Sequence, residues 1–457
     1  MKQRHLTLQH LLLFLLIGSI TCSTNTWGQT NTTTAIPESD LFETNSYWKV
    51  VGVDPSFYQT PYKLSLFSPE NGENGARLWS QSKSLLFYGV GVALVLAAMP
   101  ESSTGWDTDT DLFGKWIDNV LDGPVWDRDN GIYNYVGHTY SGGVYYQIAR
   151  KSGYRQWDSF VYTALMSAFF WEYGIEAFAE TPSIQDLVVT PVLGWVYGEW
   201  AYQTELKIRT QNNNQVLGSK ILGNISLFFL DPADSLGRGI NGLVGRDWIK
   251  AGTGYFSYTS TPPQKDGEKI EHTVYLNMSF PLTPPKESDS KTLYQYAPQE
   301  DPVDTGIVGF SVGEGFAFLD NKWGVEDDFY TKATLGLYFT PAFSMRLAYA
   351  WNSSTTKDTK EKIRYENYSL DSQYYFFSKN KIRPFISGGF GEQMWDKDRS
   401  QKSFQLNGGL GVHWAVFKKL ALQADWINYY SPEEDTYDQN ITASLIYRFG
   451  GGEHDNW

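Results

Sequence analysis

Hydrophobic and polar residues alternate with a period of two in the C-terminal part of the chain, from about Gly254 onward. The last such segment divides its side chains between two faces, with Ile441, Ala443, Leu445, Tyr447 and Phe449 on one and Thr442, Ser444 and Arg448 on the other. The same division occurs within residues 333–339, 345–352, 368–376 and 404–414. One face suits lipid and the other a polar lumen, so the pattern predicts strands of a transmembrane β-barrel.

The predicted connections between these strands alternate in length. Residues 340–342, 378–380 and 418–419 are tight, whereas residues 352–362, 396–402 and 431–439 are longer and charged. Short turns at one end and long polar loops at the other are typical of outer-membrane barrels. Counting the segments predicts about ten strands within residues 251–449, with eight and twelve as the neighbouring even numbers.

Residues 81–250 show helical rather than alternating spacing of apolar residues. We expect helices at 84–99, at about 110–121 behind a cap at Asp109 or Thr110, at about 158–180, and at 184–207. Ser183 and Asp186 form the capping-box pattern that begins the last of these. The predicted fold class is therefore α+β, with a helical, apolar N-terminal domain followed by an antiparallel transmembrane β-barrel.

The first 28 residues have the organisation of a secretory signal peptide. Lys2 and Arg4 precede the apolar run 11–20, and small and polar residues follow up to Gly28. We expect cleavage near Ser23 or Gly28, then a flexible mature N-terminus with possible short strands at 29–80. Cys22 leaves lipidation as an alternative, although residues 19–21 match the usual lipoprotein spacing poorly.

Composition narrows the classes of function. Lys and Arg number 37 against 51 Asp and Glu, and this charge of −14 repels phosphate backbones, so no nucleic-acid partner is expected. Cys22 is the only cysteine and lies in the segment expected to be removed, which excludes an internal disulfide and thiol redox chemistry. Aromatic residues reach 16%, as expected for a barrel with aromatic girdles.

The last predicted strand resembles the C-terminal assembly signal of outer-membrane barrels. Leu445, Tyr447 and Phe449 carry this resemblance, although a polar tail at 450–457 follows the residue at which such signals usually end. The resemblance implies recognition by the barrel-assembly machinery. It also implies outer-membrane lipid as the surroundings of the mature chain.

Three segments of the helical domain resemble the bacterial domain-of-unknown-function family thirty-nine forty-three. They read GHTYSG at 137–142, WEYGIEA at 171–177 and TPSIQDLVVTP at 181–191, and the resemblance covers about Asp107 to Trp200. It implies a location in the Gram-negative cell envelope and co-occurrence with barrels. That family has no established activity that could be carried over.

Glu172 and Glu176 are the first candidates for chemistry, since they lie one helical turn apart on an otherwise apolar helix. Buried carboxylates need a proton, a cation or an arginine. Structural pairing with Arg150 or Arg155 is one interpretation. The other is a lipid-hydrolase or metal site that draws on further residues of the domain, namely His138, Tyr140 and Glu199.

A catalytic triad is a second hypothesis, with His138 as base, Ser141 as nucleophile and Glu172 or Glu176 as the orienting acid. A G-x-S-x-G nucleophile motif is missing, however, and His138 can instead bond backbone at a helix start. Asp186 is explained by its place in the capping box. The sequence assigns no cofactor and no metal-ligand set.

Charged residues in the predicted strands are expected to line the lumen and to fill it with ion pairs rather than to select an ion. They are Glu314, Arg346, Asp371, Glu392, His413, Asp425 and Arg448. The leading functional hypothesis is a non-enzymatic outer-membrane barrel with an envelope-structural or small-solute transport role. The alternative is a barrel-embedded hydrolase that modifies outer-membrane lipids.

Overall fold

The computed structural model describes residues 48–51, 53–79, 81–82, 85, 112–126, 133–178, 180–230, 253–261, 271–279, 293–296, 301–395 and 401–450. The chain divides into two compact units, Met1–Pro302 and Val303–Trp457. The predicted signal peptide, nearly all of the helix expected at 84–99 and the tail after Gly450 lie outside the described residues. Within the described part, no helix combines the length and the apolarity needed to cross a bilayer.

Helices dominate the described part of the first unit. Residues 75–79, 81–82 and 85 are helical, and the helices with described bounds are α1 (Ser56–Gln59), α2 (Leu112–Asp122), α3 (His138–Arg150), α4 (Gln156–Leu165), α5 (Ile184–Thr210) and α6 (Lys220–Leu230). Helix α2 ends as predicted, because Gly123 adopts a φ of 76° and Pro124 follows it. Helix α5 begins as predicted, with the Ser183 side chain accepting a hydrogen bond from the Asp186 amide.

The chain between α4 and α5 departs from the regular α-helix that the sequence predicts. Met166–Ile175 form a π-helix and Glu176–Phe178 a 3₁₀ turn, where the apolar pattern indicated one continuous helix over 158–180. A second π-helical segment, Tyr133–Gly137, leads into α3. Hydrogen bonds of the i→i+5 kind often occur at functional sites, and they change the direction in which acidic side chains point.

Helices α3 and α5 approach each other through glycines. A Cβ atom on Gly142 would lie 1.9 Å from the carbonyl oxygen of Thr190, and one on Gly194 would lie 2.6 Å from the Cα of Gly142. Only residues without a side chain permit this approach. The contact brings the second turn of α3 beside residues 190–194 of α5.

Two small sheets in the first unit lie outside the barrel. Strand β1 (Trp48–Val51) pairs in parallel with β4 (Leu293–Tyr296), and β2 (Thr253–Thr261) pairs in antiparallel fashion with β3 (Glu271–Ser279). The predicted count of about ten barrel strands is therefore wrong, because the alternation that begins at Gly254 belongs to the β2–β3 hairpin. A period of two indicates that a strand lies in a sheet with one apolar and one polar face. It does not indicate which sheet the strand joins.

The second unit is a closed barrel of eight antiparallel strands, in which β12 pairs with β5. The strands are β5 (Val308–Phe318), β6 (Asp328–Thr340), β7 (Phe343–Thr355), β8 (Lys362–Tyr375), β9 (Ile382–Trp395), β10 (Gln401–Phe417), β11 (Leu420–Ser431) and β12 (Thr436–Arg448). The turns 341–342, 376–381 and 418–419 define one end, the turn rim, where β5 begins and β12 ends. The connections 319–327, 356–361 and 432–435, together with the end of β9 and the start of β10, define the other end, the loop rim.

The outward face of the barrel is apolar, with aromatic residues near both rims. Phe339, Phe343, Tyr374, Trp414, Phe417 and Tyr447 lie near the turn rim, and Phe316, Phe318, Phe329, Trp351, Tyr430 and Tyr437 near the loop rim. Between them the exposed side chains are mainly aliphatic, such as Val312, Leu410 and Leu445. This arrangement is typical of a barrel in a bilayer, and it confirms the faces predicted for β7, β10 and β12.

Two residues predicted to line the lumen instead face outward. Glu314 shares its face with the exposed Val312 and accepts a hydrogen bond of 3.0 Å from the Thr331 hydroxyl. Glu392 is 22% exposed and lies 3.9 Å from the Lys402 amine. Both acids lie a few residues from the loop rim, where polar groups at a bilayer surface are tolerated, so their charge did not identify an inward position.

Candidate functional site

One histidine and three acids meet where α3, the π-helix Met166–Ile175 and α5 come together. Ligand-type atoms of His138, Glu172 and Asp186 all lie within 4.8 Å of one another, and His138 Nδ1 is 3.4 Å from Asp186 Oδ1. Glu172 is 0% and Asp186 1% exposed, whereas the imidazole is 20% exposed. These three residues and Glu176 are called the His138 cluster below, and solvent reaches it at the imidazole.

Glu172 takes over part of the role predicted for Asp186 in the capping box. The Ser183 amide donates to Glu172 Oε2 at 2.9 Å, and the Asp186 amide donates to the Ser183 hydroxyl at 3.2 Å. The Glu172 carboxylate and the Ser183 hydroxyl therefore accept the amide hydrogen bonds at the start of α5. Because Glu172 receives the Ser183 amide, the Asp186 carboxylate is available to face His138.

Glu176 adds a third carboxyl group to the cluster. Its carboxyl group lies beside that of Glu172, and its Oε2 atom is buried with no hydrogen-bond partner among the described residues. Burial and the neighbouring carboxyl groups of Glu172 and Asp186 raise the pKa of Glu176 well above its ordinary value. The cluster thus contains more acid than its own imidazole can neutralise.

The two arginines proposed as structural partners of these acids bind other carboxylates. Arg150 lies 2.9 Å from Glu199 and 3.1 Å from Asp301. Arg155 lies 2.7 Å from Asp158, and its guanidinium stacks over the Phe57 ring at 4.0 Å. These buried pairs hold the helices and the segment near α1 together, and they place Glu199 in a different group from His138.

The remaining candidates for a triad are not assembled at His138. The imidazole Nδ1 meets the Thr190 hydroxyl at 3.1 Å as well as Asp186. Ser141 lies one turn further along α3, and no hydrogen bond joins it to His138 among the described residues, as a nucleophile and its base require. The Tyr140 hydroxyl donates to the Phe229 carbonyl at 3.4 Å. Sequence reasoning missed Thr190, whose i,i+4 spacing from Asp186 on one helix face was the available signal.

Charged side chains also meet inside the barrel, in a group called the lumen layer here. Arg346 on β7 lies 3.6 Å from Asp425 on β11, the strand diametrically opposite, and 3.1 Å from Asp371 on neighbouring β8. Lys332 lies 3.6 Å from the other oxygen of Asp425. Two cations therefore face two carboxylates across the full width of the barrel. Lys332 was not among the predicted lumen residues.

Aromatic side chains fill the lumen on both sides of this layer. Toward the turn rim, Arg448 stacks over Tyr338 at 4.8 Å, and the Tyr338 and His413 rings meet at 6.3 Å from opposite strands. Toward the loop rim, Trp395 contacts Tyr365 at 4.5 Å. Arg346, Asp371, His413, Asp425 and Arg448 are all buried, which confirms the inward positions predicted for these five.

The predicted assembly segment lies at the seam where the barrel closes. Leu445 and Tyr447 point outward from β12 with 51% and 42% exposure, and the Tyr447 and Phe449 rings meet at 5.3 Å. The Phe449 amide donates to the Val308 carbonyl at 3.0 Å, which extends the pairing to the first residue of β5.

Comparisons with known families match each unit of the chain separately. Residues 123–233 match the family described as domain of unknown function (DUF3943), and residues 309–453 match the OprF membrane domain. The first match confirms the resemblance seen in the helical segments, and the second coincides with the eight-stranded barrel. No curated protein matches the chain.

Solved outer-membrane barrels are also similar to part of the chain. Neisserial surface protein A is 14% identical with a TM-score of 0.28, covering 31% of this chain and 97% of its own. The N-terminal β-barrel domain of Pseudomonas aeruginosa OprF is 16% identical with a TM-score of 0.23, covering 30% and 97%. The attachment invasion locus protein Ail of Yersinia pestis is 12% identical with a TM-score of 0.23, covering 31% and 97%.

Proposed function

We propose that this protein is exported to the outer membrane, where its barrel serves as a closed anchor in the lipid with an envelope-structural role. The observation that carries the proposal is the Arg346–Asp425 pair, which joins diametrically opposite strands at 3.6 Å. A barrel of eight strands is narrow enough for side chains to fill it. The match of residues 309–453 to a membrane domain supports the location.

The orientation follows from the two rims. In barrels of this class the short turns face the periplasm and the longer loops face outward. With its turn rim on the periplasmic side, the barrel would begin and end there, since β5 starts and β12 finishes at that rim. Export by a cleaved signal peptide is part of this proposal.

A gel assay on membrane fractions tests the anchor. The protein should co-fractionate with the outer membrane, and its unboiled form should migrate differently from the boiled form, because a folded barrel resists detergent. A mature chain that stays in solution without detergent would contradict the proposal.

Planar bilayers separate an anchor from a solute channel. The purified protein should give no conductance steps, because side chains occupy the lumen at three levels, while a porin in the same bilayer serves as positive control. Reproducible steps that disappear when the sample is boiled would favour the transport role instead.

Recognition of the last strand by the barrel-assembly machinery is a further part of the proposal. Phe449→Ala should lower the amount of heat-modifiable protein in the outer membrane. Phe417→Ala is the matched control, since Phe417 is another aromatic residue at the turn rim and is 68% exposed. Equal losses from both variants would indicate a general effect of aromatic removal and not a signal.

A lipid-modifying hydrolase is the second candidate function, because His138 lies close to Glu172, and Glu176 lies beside Glu172. Alanine at His138 or Glu172 should then alter the lipid profile while leaving the heat-modifiable barrel intact. An unchanged profile with an intact barrel would exclude this candidate.

A further inference from the structure

We propose that His138, Glu172 and Asp186 bind a divalent transition-metal ion, with Glu176 as an outer partner that positions Glu172. This site is independent of the anchor function proposed above. Four features of the cluster support it, namely the donor set, the spacing of the ligand atoms, the charge of the side chains and the way in which the three segments are held together.

The donor set fits such an ion. One imidazole nitrogen and two carboxylates from separate segments are the ligand types that Zn²⁺, Mn²⁺ and Fe²⁺ accept, whereas Mg²⁺ and Ca²⁺ are usually bound by oxygen atoms alone. Three protein ligands would leave a further position for water, as in metal sites that remain open.

The spacing fits as well. Bonds of about 2.1 Å in a tetrahedral site place neighbouring ligand atoms about 3.4 Å apart. His138 Nδ1 and Asp186 Oδ1 are already separated by 3.4 Å. All three ligand atoms lie within 4.8 Å, so Glu172 needs only a small side-chain adjustment to complete the set.

The charge of the cluster calls for a cation. Glu172 and Asp186 are buried beside a single, partly exposed imidazole, and the partly buried Glu176 adds a third carboxyl group, whose Oε2 atom has no hydrogen-bond partner in the described part of the chain. Excess carboxylate is unfavourable in a buried space, whereas a divalent cation would offset two of the charges. The imidazole, 20% exposed, offers the side from which an ion could enter.

The cluster has the supports that a metal site requires. The Ser183 amide fixes one oxygen of Glu172 at 2.9 Å, and the glycine contact between Gly142 and Gly194 holds α3 against α5. Ligands held by second partners keep their orientation, and loss of such a partner typically weakens metal binding by about 10- to 100-fold.

Metal binding by the purified full chain in detergent is the direct test. After EDTA treatment and dialysis, Zn²⁺ should bind with a stoichiometry of one per chain, measured by elemental analysis and by calorimetry, and should raise the unfolding temperature. His138→Gln, Glu172→Gln and Asp186→Asn should each weaken binding by more than about 100-fold, and Glu176→Gln by about 10-fold.

Glu205→Gln is the matched control. Glu205 is also a buried acid on α5, but it pairs with Lys151 at 2.6 Å and with Arg209 at 2.8 Å. This variant should be less stable with and without Zn²⁺ and should still bind one ion. Zn²⁺ binding that survives all three ligand substitutions, or binding of Mg²⁺ in preference to Zn²⁺, would overturn the proposal.

X-ray absorption of the Zn²⁺-loaded wild-type protein tests the site even if the variants do not fold. The expected spectrum shows one imidazole, oxygen ligands and no sulfur. Two or more imidazoles, a sulfur ligand, or a failure of the wild-type chain to retain Zn²⁺ would show that His138 and its neighbours form an ion pair and not a metal site.

Discussion

The lumen layer and the His138 cluster both bury charged side chains, but they balance charge in different ways. In the lumen layer, Lys332 and Arg346 face Asp371 and Asp425, so cations and carboxylates are equal in number. In the cluster, three carboxyl groups face one imidazole. A balanced group can stabilise a fold by itself, whereas an excess of acid requires a proton or an external cation. The contrast supports a structural role for the first and a binding role for the second.

The two groups also differ in how they are held. Arg346 and Asp371 are directly opposite each other in the β7–β8 ladder, so backbone pairing fixes their positions. The cluster depends on two helices and a π-helical segment, joined by a glycine contact. The barrel group should therefore respond mainly to changes in charge, and the helical group to changes in helix packing as well.

The largest expected effect is that of Arg346→Met, which breaks the balance in the lumen. It leaves two carboxylates facing Lys332 alone, so the free energy of unfolding should fall by about 3–5 kcal/mol. Urea unfolding of the barrel in lipid vesicles measures this loss.

A double variant that removes one positive and one negative charge serves as the control. Arg346→Met combined with Asp371→Asn leaves Lys332 paired with Asp425, and it should recover a large part of the lost stability through a favourable coupling energy. A cost below about 1 kcal/mol for the single variant would show that the layer contributes little.

The balance inside the barrel could be predicted from sequence only in outline. Alternation identified which side of β7, β10 and β12 faces inward, because every second residue along a strand faces the same environment. It could not show that Glu314 and Glu392 face outward near the loop rim, since a single acid is tolerated there. It also could not separate the β2–β3 hairpin from the barrel, because the same period describes both sheets.

A second acid-rich group surrounds Arg150, and its contribution to the free energy of unfolding depends on pH. Arg150 faces both Glu199 and Asp301. Burial, opposed by Arg150 and reinforced by Glu199, raises the pKa of Asp301 from 3.8 to about 6. The folded protein holds this proton more tightly than the unfolded chain does, so the stability that Asp301 contributes is lost as pH rises from about 4 to 6.

Asp301→Asn should remove that pH dependence. The difference in free energy of unfolding between wild type and variant should change by up to about 3 kcal/mol across this interval, at about 1.4 kcal/mol per pKa unit. Hydrogen exchange of peptides from α3 and α5 measures it. Equal pH profiles for the two proteins would contradict the pKa assigned to Asp301.

Gly142→Ala tests the glycine contact that assembles the cluster. The added Cβ would lie 1.9 Å from the Thr190 carbonyl oxygen and must push α3 and α5 apart, which should cost about 1–3 kcal/mol and weaken Zn²⁺ binding. Gly137→Ala is the control, because a Cβ there meets nothing within 4 Å and the backbone φ of −61° suits alanine. Equal effects of both substitutions would show that the close contact is not the cause of the loss.

The smallest expected effect is that of Glu176→Gln in the presence of EDTA. Glutamine can keep the same place beside Glu172 and lowers the acid content of the cluster, so the free energy of unfolding should change by less than about 1 kcal/mol. Thermal unfolding measured with and without Zn²⁺ checks it. A loss as large as that expected for Arg346→Met would mean that this cluster, too, is a balanced structural group.

The candidate site was only partly visible in the sequence. His138, Glu172 and Glu176 stood out because charged groups on apolar helices need partners. Asp186 was assigned to the helix cap, since residue spacing cannot show that Glu172 would take the Ser183 amide. Ser141 was included because it lies three residues after His138, whereas the structure brings Thr190 to the imidazole from another helix.

The loose winding of Met166–Ile175 has a consequence for how Glu172 is placed. A residue in an ordinary α-helix advances by about 100° around the axis, and i→i+5 hydrogen bonding advances it by less, so side chains in this segment drift out of phase with those of α4. Glu172 faces Ser183 at the end of that drift. A substitution that tightened the segment into ordinary winding would rotate the carboxylate away while leaving all four cluster side chains in the sequence. The position of this acid is thus encoded in the pitch of the backbone as well as in the residue type.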